Sequence, residues 1–523
     1  MIAGAQISWA AVQHGSRVAL VCGSTSYTHT DLDVRSNRLA QALIALGLQP
    51  QDRLAVLLEN SVESVDSVFA AEKAALTYVA LNARHTLAEH VAVLADAQAC
   101  TVLLGPQFAA LAPALLAERD RGSAGLLPFL KHIILSGRAE AGVLNLETLL
   151  QAAPQVAPQI EIGPEHIVRI AYTSGTTGRP KGVVYTQERI AARLANHFLA
   201  MEYALTPQDA MLHVGPLTHA AGVYLFPCFL RGARNIILDR FDPQQMLQAI
   251  ATHRISHLML VPTMLSRLLD AIDAAQQAGR PPDLSSLRRI HYGTAPTPIP
   301  LLRRALATFG PILRQQYGMT EAVQPLTVLY PDQHLSGANG RGDGALASCG
   351  RPICTVRIRI LDRAGQPVPT GAVGEIAIAH EGIGRVAFWR RPELLAETVR
   401  DGWFYTGDLG RLDADGFLTI VGRNKDMIIS GGFNVYAREV EDVLDTHPAV
   451  AESAVLGLPD TEWGEIVAAF VVLRHGHPPR PQELADHCAT RIAGYKKPRR
   501  IEIVEALPRN QAGKVQKHLL RSR

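Results

Sequence analysis
Apolar residues in this chain fall into short runs separated by segments of helical spacing. RVALVCG (17–23) predicts a strand, and Thr28 to Asp31 offers helix-capping residues. DLDVRSNRLAQALIALG (31–47) repeats its apolar positions every three or four residues and stops at Gly47, which predicts a helix. DRLAVLLEN (52–60) predicts a strand, SVESVDSVFAAEKAA (61–75) a helix, and TYVAL (77–81) a strand. The alternation continues through IVRIAYTS (167–174), NIILD (235–239) and HLMLVPT (257–263). Such repetition predicts parallel sheets covered by helices. A Gly-rich stretch over 336–350 breaks the pattern. After it VRIRILD (356–362), GEIAIAH (374–380) and FLTIVG (417–422) predict a smaller β-rich lobe. From Asp426 onward, strands (451–457, 467–473) mix with helices (437–447, 481–493) over about 100 residues, the usual size of a separate domain. The predicted fold class is α/β, with a large N-terminal part and a small α+β C-terminal part.

Composition narrows the function. The chain has 523 residues, 47% apolar and 19% charged, enough to build a sizeable core. Lys plus Arg is 51 against 48 Asp plus Glu, a net of +3, which argues against a nucleic-acid partner. Cys22, Cys100, Cys228, Cys349, Cys354 and Cys488 form no C-x-x-C pair, so neither a zinc site nor a disulfide framework is expected. The N-terminus lacks the charge and apolar pattern of a signal peptide, and no run of 18 apolar residues occurs. These features predict a cytoplasmic protein without a membrane segment.

One segment stands out chemically. In YTSGTTGRPKGVV (172–184) four Ser or Thr residues and two glycines precede a lysine, between apolar runs. Glycines let backbone N–H groups turn toward an anion, hydroxyls add donors and a lysine adds charge. The spacing is not that of a Walker A loop, because Pro180 stands five positions after Gly175. Two readings stay open on these residues alone, a phosphate cradle and a solvated Gly/Thr hairpin turn.

The segment closely resembles the phosphate-loop signature of the adenylate-forming superfamily, which includes acyl-CoA synthetases, luciferases and peptide-synthetase adenylation domains. Further motifs follow in the family's order: QYGMTE (316–321), YTGD (405–408), GRNKD (422–426), and PRN (508–510) with Gly513 and Lys514. The resemblance spans nearly the whole chain. It implies an N-terminal adenylation domain over 1–424 and a mobile C-terminal domain over 425–523. It also implies ATP, Mg²⁺ and CoA as reactants or cofactors. By this resemblance Thr173, Ser174, Gly175, Thr176, Thr177, Gly178 and Lys181 cradle the outer phosphates of ATP. Thr320 contacts the α-phosphate, and Glu321 holds the metal, a suitable role for a hard-oxygen ligand. Tyr317 lies against the adenine, and Gly293, Thr294, Ala295 and Pro296 resemble the adenine-lining G-G-A-P segment, with Thr294 in place of a usual glycine. Asp408 binds the ribose hydroxyls and Arg423 assists there, with a salt bridge near the hinge as its plainer reading. Lys514 bridges the substrate carboxylate and the α-phosphate. Lys425 is the hinge, and Gly431, Gly432 and Phe433 approach the acyl site for the CoA step.

The same resemblance places His219 as a gate between acyl pocket and thiol, with Val223, Tyr224 and Val261 lining the pocket. Amino-acid-activating relatives carry an aspartate near this segment, and none lies between Pro216 and Phe229. Small and apolar lining suits an aliphatic or aromatic acid. The expected activity is ATP-dependent formation of an acyl-adenylate and transfer of the acyl group to CoA. A carrier-protein thiol is the alternative acceptor, oxygen chemistry as in luciferases shares the same motifs, and a homodimer is compatible with the reading.

Overall fold
The computed structural model describes residues 1–138, 142–173, 180–202, 204–218, 220–322, 324–335, 344–383, 385–474, 479–509 and 515–521. Four sheets organise these residues. The seven-stranded sheet runs Leu144–Asn145, His132–Leu135, Thr101–Leu104, Arg53–Leu57, Thr77–Ala80, Ile167–Thr173, Lys181–Thr186. All its pairs are parallel except the last. The nine-stranded sheet has a parallel centre, with Leu313–Tyr317, Arg289–Gly293, His257–Leu260, Ala210–His213, Arg234–Ile237 and Val18–Cys22 side by side. Antiparallel strands close both its edges.

Local chemistry sets the element ends. The predicted helix at 31–47 occupies His29–Ala45, because the Thr28 side chain accepts from the Asp31 amide while Asp31 reaches back to Thr28. The next helix, Val62–Lys73, starts at the Ser61 cap in the same way. Each such cap contributes about 1 kcal/mol.

Two strand pairings go beyond what the sequence pattern specifies. The strand Val18–Cys22 pairs antiparallel with the next strand, Thr25–Thr28, and stays out of the sheet that holds Arg53–Leu57 and Thr77–Ala80. It pairs parallel to Arg234–Ile237 in the other sheet. The strands flanking the Gly/Thr loop are antiparallel, with Thr173 opposite Lys181. The hairpin reading of that loop therefore holds for its two ends.

The β-rich lobe is present as a five-stranded sheet built on Gly374–Ala379 and Trp403–Leu412, the second of which carries the YTGD motif. A core of Val183, Tyr185, Met259, Tyr317, Ile376, Phe388 and Phe404 joins this lobe to the sheets before it. The C-terminal part has its own five-stranded sheet, in which Gly464–Leu473 is central and Val450–Asp460 forms a long hairpin with it at the edge. Helix Ala437–Leu444 lays Ala437, Val440 and Leu444 against it. Ala437 is the first residue of that helix. Among the described residues none of the six cysteines forms a disulfide.

Candidate active site
Parallel α/β sheets bind ligands beyond the carboxyl ends of their strands. The sequence motifs converge there. Tyr317 ends strand Leu313–Tyr317, and Thr320 and Glu321 follow it. Gly293 ends the neighbouring strand, in register with Gln316. A Cβ at Gly293 would lie 2.5 Å from the Gln316 carbonyl oxygen, so no larger residue fits this strand pair. Thr294 comes next at φ 68°, in the left-handed region that glycine adopts without penalty. Its hydroxyl is buried without a hydrogen-bond partner. The threonine thus stands where the backbone favours glycine, and its side chain gains no polar contact in return. Ala295 is half-buried and Pro296 exposed.

Lys181 opens the second strand of the hairpin. Its Nζ lies 3.3 Å from Glu321 Oε1 and 4.3 Å from the centre of the Phe388 ring. The pair is partly buried, so the carboxylate faces this cation in a region only partly screened by water. Thr173 and Lys181 bracket the phosphate-type loop, while Ser174, Gly175, Thr176, Thr177 and Gly178 lie outside the described residues.

Asp408 comes from the β-rich lobe and is 7% exposed. Its Oδ2 accepts from the Tyr317 hydroxyl at 2.7 Å, and its Oδ1 lies 3.1 Å from Arg423 Nε. Strand register places Asp408 directly opposite Arg423. Burial, and then the Asp408 charge, push the Tyr317 hydroxyl well above its usual pKa, so it stays a donor. A carboxylate accepts about four hydrogen bonds, so capacity remains for two ligand hydroxyls. The neighbouring Gly407 amide donates to Glu375 Oε1 at 3.0 Å, which holds the motif's turn.

Two site residues escaped the sequence reading. Arg189 is 1% exposed on helix Gln187–His197. Its guanidinium donates to the carbonyls of Val184 at 2.7 Å, Thr320 at 3.3 Å and Glu321 at 2.5 Å. Tyr185 donates to the Thr320 carbonyl at 2.6 Å, and the Arg189 guanidinium lies 4.5 Å from its ring centre. These two side chains hold the backbone that presents Thr320 and Glu321. Nothing local in the sequence signals this, because the partners lie 131 and 132 positions away.

On the acyl side, Val223 and Val261 are half-buried. Tyr224 is 1% exposed, and its hydroxyl accepts from Gln316 Nε2 at 3.0 Å. Its ring packs on His291 at 4.5 Å and His197 at 5.0 Å. Tyr224 is thus held against the strand end by Gln316, His291 and His197. His219 lies outside the described residues.

Lys425 is exposed in the short turn Asn424–Asp426 that follows strand Leu418–Arg423. Gly431 and Gly432 both have left-handed φ, 56° and 82°, and a Cβ on Gly431 would meet the Trp463 ring at 2.7 Å. Phe433 is 56% exposed and stacks on Tyr495 at 4.7 Å. Lys514 lies outside the described residues. Among the described residues no three His, Cys, Asp or Glu side chains gather as a metal cage, and no helix is long and apolar enough to cross a membrane.

A ligand site at the strand ends, roofed by a β-rich lobe, defines a nucleotide-type α/β protein with a separate C-terminal unit. The comparisons agree. Residues 7–386 match the family model described as AMP-binding enzyme, and residues 439–514 match the AMP-binding enzyme C-terminal domain. The chain belongs to the AMP-binding enzyme family. It is 35% identical to a medium/long-chain-fatty-acid–CoA ligase of Mycobacterium tuberculosis, over 98% of this chain and 88% of that protein. It is 36% identical to a feruloyl-CoA synthase of Amycolatopsis sp, over 96% and 94%. Among solved structures, ATP-bound MatB from Rhodopseudomonas palustris superposes with a TM-score of 0.86 at 30% identity, over 99% of this chain and 98% of that one.

Proposed function
We propose that this chain is an AMP-forming acid–thiol ligase that activates a carboxylic acid with ATP and passes the acyl group to CoA. The observation that carries the reading is the meeting of Lys181, Thr320 and Glu321 with the Tyr317–Asp408–Arg423 group beyond the strand ends. Similarity to CoA ligases of fatty and hydroxycinnamic type supports the acceptor and the breadth of acid class. In the first step a substrate carboxylate oxygen attacks the α-phosphorus of ATP. The bond to the bridging oxygen breaks, and pyrophosphate leaves with its electron pair. In the second step the CoA sulfur attacks the acyl carbon, its proton is lost, and AMP leaves.

The chain's residues act mainly by position and charge. Asp408 takes the ribose hydroxyls with its remaining acceptor capacity, and Tyr317 and Arg423 fix its carboxylate. Lys181 moves its ammonium from Glu321 to the outer phosphates. Thr320 donates to the α-phosphate. Lys514, from the C-terminal domain over 425–523, spans the carboxylate and the α-phosphate, and that domain turns about Lys425 to bring Gly431–Phe433 forward for the thiol step. Mg²⁺ fits this donor set. It commonly takes one or two carboxylates plus phosphates and water, and Glu321 supplies one carboxylate already balanced by a cation. Bound there, it would neutralise phosphate charge.

The test is pyrophosphate release from Mg-ATP across aliphatic, benzoic and cinnamic acids, with and without CoA. Acid-selective release that CoA accelerates, and that Lys514→Ala largely abolishes, is the expected result. Release with any acid that CoA leaves unchanged refutes the acceptor. Release that Lys514→Ala leaves intact refutes the role of that lysine.

A further inference from the structure
The segment that carries Lys514 is tied at its base to a buried carboxylate on another element. Glu441 sits on helix Ala437–Leu444 and is 7% exposed. Its Oε1 accepts from Lys517 Nζ at 2.7 Å and from the Val455 amide at 2.9 Å. Arg438 Nη1 lies 4.0 Å from its other oxygen. The carboxyl is held below its usual pKa by Lys517 and Arg438, against the opposing effect of burial. On the opposite side, Arg509 pairs with Glu452, Arg509 bridges Val515 in antiparallel fashion, and the Gln516 amide donates to the Pro508 carbonyl at 2.8 Å. The two ends of the segment, 508–509 and 515–517, are thus fixed to each other and to the hairpin Val450–Asp460.

The chain end has an apolar anchor besides this ion pair. Leu520 is 0% exposed and packs with Leu456, Phe470, Val504 and Leu507, which anchors the tail by apolar contact. A buried ion pair adds little net stability, because desolvation offsets much of its attraction, but it specifies geometry. Lys517 stands three positions after Lys514. The helix bearing Glu441 begins two residues after strand Phe433–Val435, which follows the Gly431–Gly432 turn. One contact therefore joins the base of the lysine segment to the element beside the glycine turn.

We propose that Glu441 and Lys517 are positioning residues for Lys514 in the adenylation half-reaction. The inference rests on the role given to Lys514 above. A misplacement of about 1 Å costs on the order of 100-fold in a position-dependent step. The thiol step, in which Lys514 is withdrawn, does not depend on its placement.

The experiment separates the half-reactions. Acid-dependent exchange of labelled pyrophosphate into ATP reports adenylation. Reaction of a synthetic acyl-adenylate with CoA reports thioester formation and that the chain is folded. Glu441→Gln and Lys517→Met are each expected to lower exchange at least tenfold, about 1.4 kcal/mol, and to change thioester formation less than about threefold. Lys517→Arg restores exchange, and the double variant is no worse than either single one, as residues acting through one contact require. Equal loss of both half-reactions overturns the proposal in favour of a purely structural pair. Unchanged exchange in Glu441→Gln and Lys517→Met, alongside its loss in Lys514→Ala, overturns the proposal and leaves the ligase reading standing. Exchange that survives Lys514→Ala overturns both. Should Glu441→Gln fail to fold, Lys517→Met, whose side chain is partly exposed, tests the same contact.

Discussion

Replacing Arg189 by methionine tests whether the active-site backbone is held from behind. Methionine keeps the apolar stem and volume while removing the guanidinium fork. The Val184 and Glu321 carbonyls then lose donors at 2.7 Å and 2.5 Å, and the Thr320 carbonyl keeps only the Tyr185 hydroxyl at 2.6 Å. Hydrogen bonds from a charged donor contribute about 1.5–3 kcal/mol each, so losing the two short ones, to Val184 and Glu321, costs about 3–6 kcal/mol. With an unfolding entropy of about 2.1 cal/mol/K per residue over an N-terminal unit of roughly 400 residues, this lowers the melting midpoint by about 4–7 °C. The effect on chemistry is larger, because Thr320 and Glu321 move with their backbone. Pyrophosphate exchange is expected to fall on the order of 100-fold while the apparent KM for the acid changes little. Arg189→Lys recovers part of the stability but little of the exchange, since one ammonium does not span three carbonyls. The assays are calorimetric melting and exchange kinetics on the same preparations. An Arg189→Met protein that melts within about 1 °C of the parent and retains full exchange would show that water or relaxed backbone satisfies these carbonyls, and would refute the reasoning.

Three further outcomes are expected. Asp408→Asn loses one acceptor for the Tyr317–Arg423 pair and for ribose, so the Kd of a fluorescent AMP analogue rises at least tenfold, about 1.4 kcal/mol; an unchanged Kd sinks the ribose assignment. Thr294→Gly relieves a left-handed β-branched residue, worth about 1–2 kcal/mol, against a gain in unfolded-chain freedom of about 0.4–1 kcal/mol. Its stability in urea is thus equal to or slightly above the parent's, and a loss greater than about 1 kcal/mol contradicts the strain argument. Asp66, buried beside Arg35, has its carboxyl raised to about 6, mainly by desolvation, which Arg35 only partly offsets. The unfolded chain gives up this proton near the ordinary value of 3.8 while the folded chain keeps it, so the stability it contributes is present below about pH 4 and is lost as pH rises to about 6. Asp66→Asn therefore gains on the parent by about 3 kcal/mol between pH 4 and pH 7, and a pH-independent difference in urea melts would rule the shift out.

Much of this protein was legible in its residues taken in order. The caps at Thr28 and Ser61 and the helices they start are local events, set by contacts three positions apart. The motifs from Thr173 to Lys514 stand in an order that identifies the family, and chemistry-bearing residue types declare themselves without coordinates. Arg423 was read as either a ribose contact or a salt bridge, and its 3.1 Å approach to Asp408 settles the second while leaving room for the first.

Pairing between distant segments is another matter. Alternating strands and helices predict parallel sheets but not how many, and only the tertiary structure sends Val18–Cys22 to the nine-stranded sheet and turns Lys181–Thr186 antiparallel. The same holds for Arg189 beneath Glu321 and for Lys517 on Glu441, contacts across 132 and 76 positions. Periodicity and capping are properties of a few neighbouring residues, so the chain alone determines its elements and displays its reactive groups. Which elements meet depends on burying apolar faces and satisfying buried charges between segments far apart in sequence, and that was decided only when the chain folded.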